Sequence, residues 1–136
     1  MANTGKRIKG VRQPIILALE TATMCGSVAL VAENSCLAEF SLQTGETHSR
    51  RLLAGIDRVL QETGTDWPEV DAVAVSLGPG SFTGLRIGLA TAKGLAMAGG
   101  VKLIGVGTLD GLAAQLHAAG KILICPVLDA RKKEVY

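Results

Sequence analysis

The sequence predicts an α/β domain built on a mixed sheet that includes an antiparallel meander, with helices packed on it. Two observations lead there. Three short apolar runs between Pro14 and Leu42 are separated only by turn-like residues, and from His48 onward helical and strand-like periodicities alternate. With 136 residues the chain suits one ordinary domain and can bury roughly two-thirds of the surface its unfolded form exposes.

Met1 to Gln13 carries charge without a sustained apolar stretch, so residues 1–13 read as a flexible basic extension and not as a secretory signal. A cytoplasmic protein is therefore expected. Pro14 to Glu20 and Gly26 to Ala32 are apolar strands joined by Thr-Ala-Thr-Met-Cys, and Cys36 to Leu42 follows the turn residues Glu33, Asn34 and Ser35. Thr47 can cap a helix from His48 to about Thr63, with Leu52, Ile56, Val59 and Leu60 on one face and Gly64 as its stop. Val70 to Leu77 reads as a buried strand, Phe82 to Ala98 as a helix and Val101 to Val106 as a further strand. Thr108 is expected to cap a helix to about Ala119. Lys121 to Leu128 then reads as a strand, Asp129 to Lys133 as a charged turn, and Glu134 to Tyr136 as the start of an unfinished element, as in a truncated chain.

Fourteen Lys and Arg face twelve Asp and Glu, for a net charge of +2. Lys6, Arg7, Lys9 and Arg12 supply four of the positive charges, so the body beyond them is mildly acidic. Such a surface has no broad electrostatic footprint for nucleic acid, and an RNA contact needs the tail, a local patch or a partner. Arg86, Lys93 and Lys102 interrupt the apolar stretch from Leu85 to Val106 too often for a membrane span, so no membrane partner is expected.

Catalytic chemistry is thin. His48 and His117 are the two histidines, neither belongs to an HEXXH pattern, and Leu52 stands four residues beyond His48. Ser76, Ser81 and Thr83 lack a GxSxG elbow and a histidine nearby in sequence. Cys25, Cys36 and Cys125 are odd in number and unpaired in spacing, which argues against a disulfide framework and a zinc site. No catalytic residue and no metal ligand is assigned.

The segment SLGPGSFTGLRIG, from Ser76 to Gly88, is the most informative in the chain. Gly78, Pro79 and Gly80 make a sharp turn with uncovered main-chain N–H groups, and Ser81 or Thr83 can cap the helix that follows. This is either a phosphate cradle or an ordinary strand-to-helix corner, and it lacks both the Lys-Ser/Thr pair of a P-loop and dinucleotide-fingerprint spacing. Glu20, with Thr21 and Thr23 beyond it, is an acidic group placed where a metal-bound phosphate would be met, or a solvated strand end. Within the helix, Gly84, Gly88, Ala92 and Ala96 recur every four residues, a ridge nearly free of side chains that another helix can approach closely.

Taken together, ILALETATMCGSVAL (Ile16 to Leu30), GETHSRRLL (Gly45 to Leu53), SLGPGSFTGLRIG and LDARKKEVY (Leu128 to Tyr136) resemble the TsaB family, formerly called YeaZ. The resemblance implies a ribonuclease-H-like fold of the actin, Hsp70 and sugar-kinase superfamily, with residues 14–106 as a first domain and 107–136 as the start of an incomplete second one. It implies a non-catalytic subunit in threonylcarbamoylation of adenosine 37 of tRNA. The expected partners are the catalytic paralogue TsaD, the ATPase TsaE, tRNA through the complex, and a second copy in a homodimer. No cofactor is expected on this chain, ATP being left to the partner subunits. The family interface lies on the first two helices, which points here to His48, Leu52, Leu53, Ile56, Gly84, Leu85, Gly88, Leu89, Ala92 and Ala96. Superfamily kinases open their phosphate hairpin with Asp-x-Gly, whereas Glu20 and Ala22 stand here, so the nucleotide role of Glu20, Thr21, Thr23, Gly78, Gly80 and Ser81 belongs to an alternative reading as a sugar-kinase-type enzyme. A glycoprotease-like peptidase is a further alternative, without its metal motif.

Overall fold

The computed structural model describes residues 12–33, 35–43, 48–116 and 123–136. Strands β1 (Ile15–Glu20), β2 (Cys25–Ala32) and β3 (Ser35–Gln43) form an antiparallel meander. Helix α1 (His48–Thr63) and a short 3-10 turn at Trp67–Glu69 lead to β4 (Ala72–Ser76), which lies parallel to β1. Helix α2 (Phe82–Gly99) then returns the chain to β5 (Lys102–Val106), parallel to β4. The sheet order is β3-β2-β1-β4-β5. This is the mixed sheet of a ribonuclease-H-like domain, and the long helices between parallel strands are the crossovers that such pairing requires.

The alternation along the strands puts Leu17, Leu19, Val28, Leu30, Val73 and Val75 on one face, where Leu52, Ile56 and Val59 of α1 and Ala92 of α2 close over them. Fully burying one such aliphatic side chain stabilises the fold by about 1.5–3 kcal/mol. Both helices therefore sit on the same side of the sheet. The other face carries small residues, Ala18, Ala29 and Ala74 among them, beside a cleft that reaches Gly107 and Gly111. At the start of β1, Arg12 reaches the Asp71 carboxylate at 3.4 Å and donates to Glu69 O, and Asp71 Oδ2 accepts the Ile15 N–H at 2.8 Å. Arg12 is thus tied to the body of the domain; residues 1–11 and the Thr47 cap lie outside the described residues.

Three other expectations change beyond β5. Thr108 is the first helical residue of α3 (Thr108–Ala114) and not its cap; Gly107 holds the cap position without a side-chain bond. The helix closes at Gln115, whose N–H donates to Leu112 O at 3.3 Å, a tightened i to i−3 bond, and not near Ala119. Of the expected strand, residues 121–122 lie outside the described residues and 123–127 run without a ladder; Leu128 exchanges backbone hydrogen bonds with Tyr136, and between them the charged stretch forms a hairpin of β6 (Asp129–Arg131) and β7 (Glu134–Val135). Apolar composition suggests a strand, but a strand exists only where a neighbour accepts its hydrogen bonds.

Candidate functional site

The Gly-Pro-Gly corner packs against the end of β1. Gly78 takes φ 107° and its carbonyl accepts the Thr108 N–H at 2.9 Å, while Leu77 N–H bonds Val106 O, so the corner is tied to the end of β5. Ser81 caps α2 as expected, its Oγ accepting the Gly84 N–H at 3.2 Å. The Ser81 N–H itself donates to Ala22 O at 2.6 Å. A Cβ at Gly80 would come within 2.6 Å of the Ala22 Cβ, so the β1-β2 corner occupies the space that a cradle would leave open.

Glu20 is neither free nor simply solvated. Its Oε1 accepts the Ala22 N–H and the Ser76 hydroxyl, the latter at 3.0 Å, and so ties the ends of β1 and β4 together. Thr23 Oγ1 donates to Cys25 O at 3.1 Å, closing the hairpin. Thr21 is fully buried, and among the described residues its Oγ1 has no hydrogen-bond partner. For the phosphate expectation at Glu20, Thr21, Thr23, Gly78, Gly80 and Ser81, the structure gathers these residues into one joint whose Ser81 and Gly84 N–H groups bond within the chain.

The helix expectation is corrected. Gly84, Gly88, Ala92 and Ala96 are the buried residues of α2 and face their own sheet. A Cβ at Gly84 would lie 2.0 Å from Thr21 O, and one at Gly88 2.1 Å from Thr21 Oγ1. The ridge receives the β1-β2 corner and not a partner helix. Leu52 and Ile56 are likewise core residues, 4% and 3% exposed. Leu85 and Leu89 are half-buried at the flank of α2, with Leu89 packed on the core. His48 opens α1, and its side chain lies outside the described set.

What α2 turns outward is a second line: Phe82, Arg86, Ala90, Gly94 and Ala98 are all exposed, again four apart. Phe82 is 70% exposed and Arg86 lies 4.3 Å over its ring; Met97 beside them is 84% exposed. Among the described residues nothing lies within 4 Å of a Cβ at Gly94. On α1, which touches α2, Leu53 is 53% exposed. Sequence reasoning missed this line because it carries a charge and a large aromatic. Its own four-residue spacing was the signal.

Among the described residues no three His, Cys, Asp or Glu side chains gather as metal ligands, and no helix is long and apolar enough to cross a membrane. A family model described as TsaD, tRNA N6-adenosine threonylcarbamoyltransferase, matches residues 42–136. The tRNA threonylcarbamoyladenosine biosynthesis protein TsaB of Escherichia coli is 40% identical over 122 residues, covering 89% of this chain and 52% of that protein. TsaB of Bacillus subtilis is 34% identical, with the same coverage. A solved structure of YeaZ from Pseudomonas aeruginosa superposes with a TM-score of 0.80 at 34% identity, over 90% of this chain and 57% of the other. The chain spans about half the length of the curated relatives it matches.

Proposed function

Because the chain belongs to the TsaB (YeaZ) proteins of the TsaD family, we propose that it serves in the biosynthesis of threonylcarbamoyladenosine in tRNA as a non-catalytic subunit that docks on the catalytic paralogue. The observation that carries the docking role is the exposed line of Phe82, Arg86, Ala90, Gly94 and Ala98 on α2, with Met97 beside it and Leu53 exposed on the neighbouring helix α1. A soluble domain gains by covering such a stripe, and small residues at Ala90, Gly94 and Ala98 let a partner helix approach closely. A second copy of the chain uses the same face when the paralogue is absent. The ATPase subunit joins the pair, and tRNA is reached through the complex, in the cytoplasm. Nucleotide is left to the partner subunits, a reading supported by the Ser81 and Gly84 N–H groups, which bond Ala22 O and Ser81 Oγ within the chain.

Leu53→Glu with Met97→Glu tests the reading, since both side chains point away from the core and the fold survives their exchange. The double variant is expected to lose co-purification with the transferase paralogue and to sediment as a monomer. Wild-type behaviour in both assays refutes the docking face. Depleting the protein from cells is expected to lower threonylcarbamoyladenosine in tRNA, and unchanged levels refute the pathway.

A further inference from the structure

The hairpin of β6 and β7 turns on three consecutive basic residues, each held at positive φ: Arg131 at 65°, Lys132 at 53° and Lys133 at 64°. A side chain with a Cβ rarely adopts this conformation, and a two-residue hairpin turn of this kind favours Asn-Gly. Lys-Lys adds nothing to that geometry. What it supplies is charge, on a strained backbone of the sort that collects at ligand-contacting loops. All three residues are exposed, and Lys132 and Lys133 form no ion pair among the described residues. Of the ten cations beyond Gln13, three stand here in adjacent positions, while the same stretch holds twelve carboxylates. Asp129 Oδ1 accepts the Arg131 N–H at 2.7 Å.

We infer that the Arg131-Lys132-Lys133 tip contacts RNA phosphates and is the point at which this chain touches tRNA; the tRNA, though not the contact chemistry, rests on the function proposed above. Adjacent cations presented on an exposed turn are what grips a phosphate backbone. An acidic protein surface is the weaker match, because protein interfaces deplete lysine at their centre. The local patch also resolves how a mildly acidic body meets a polyanion, since phosphate contacts act singly and close at hand.

Lys132→Asn with Lys133→Gly separates charge from strain, because it installs the favoured turn while removing both ammonium groups. Binding of an unmodified tRNA transcript to the full chain is followed by fluorescence anisotropy between about 50 and 200 mM salt. The variant is expected to bind more weakly, with a salt slope shallower by about two, one for each lysine. Its thermal stability should match or exceed that of the wild type. Lys93→Gln, an exposed cation on α2, should leave the slope unchanged. The contact is overturned if the wild type shows no binding, if the turn variant keeps the wild-type slope, or if Lys93→Gln weakens binding as much. Retained tRNA affinity with lost co-purification of the transferase also overturns it and makes the tip a protein contact. Should depletion leave tRNA modification intact while the turn variant still loses RNA affinity, the pathway reading fails and the RNA contact stands.

Discussion

Thr21 does more to shape this molecule than any residue with obvious chemistry. It is buried at the end of β1, and its carbonyl and hydroxyl press on α2 where Gly84 and Gly88 have no side chains. A methyl group at Gly84 meets a backbone oxygen that cannot swing away. Gly84→Ala is accordingly expected to destabilise the fold by about 1–3 kcal/mol, read as a lowered midpoint in urea unfolding. Gly94→Ala is the matched control. Among the described residues nothing lies within 4 Å there and alanine is the better helix former, so stability should rise by about 0.5–1 kcal/mol. If both substitutions behave alike, the inward orientation of the Gly84 ridge is wrong. At this scale the sequence showed which residues were small; it did not show which neighbour required them to be.

Helix α2 shows how far an element can be read locally. Its start at Phe82 and the Ser81 cap were legible, because a short polar side chain before an apolar helix satisfies an otherwise orphaned N–H. Ser81→Ala is expected to cost about 1 kcal/mol in thermal or chemical unfolding, and Ser81→Asp to retain most of the stability. Equal losses for both would discount the cap. The faces of the helix were not legible. Lines 82-86-90-94-98 and 84-88-92-96 obey the same four-residue spacing, so periodicity locates two ridges and does not say which one turns inward. The hairpin at 129–135 escaped for a related reason: strand residues were read from apolar composition, whereas the pairing joins charged segments through a turn whose φ values lysine does not advertise.

At the scale of the molecule, a contiguous core among the described residues joins α1, α2 and four residues of the meander to β4. Such a core should unfold as a unit. Trp67, the single tryptophan, packs against Gly99 at the far end of α2, remote from the Thr21 joint. Its fluorescence and the far-ultraviolet circular dichroism are expected to report coincident urea transitions. Separate midpoints would mean that α2 leaves the sheet before the strands part. The order and type of the main elements, the meander and the family were all determined by the sequence alone, because hydrophobic period, glycine turns and cap residues act within a few positions along the chain. Only the tertiary structure decided that the Gly-Pro-Gly-Ser corner is filled by Ala22, that the Gly84-Gly88 ridge closes on Thr21, and that Phe82 and Met97 are left to the outside. The physical reason is that these outcomes depend on contacts between residues about sixty positions apart, and local spacing is the same on both faces of the helix that they orient.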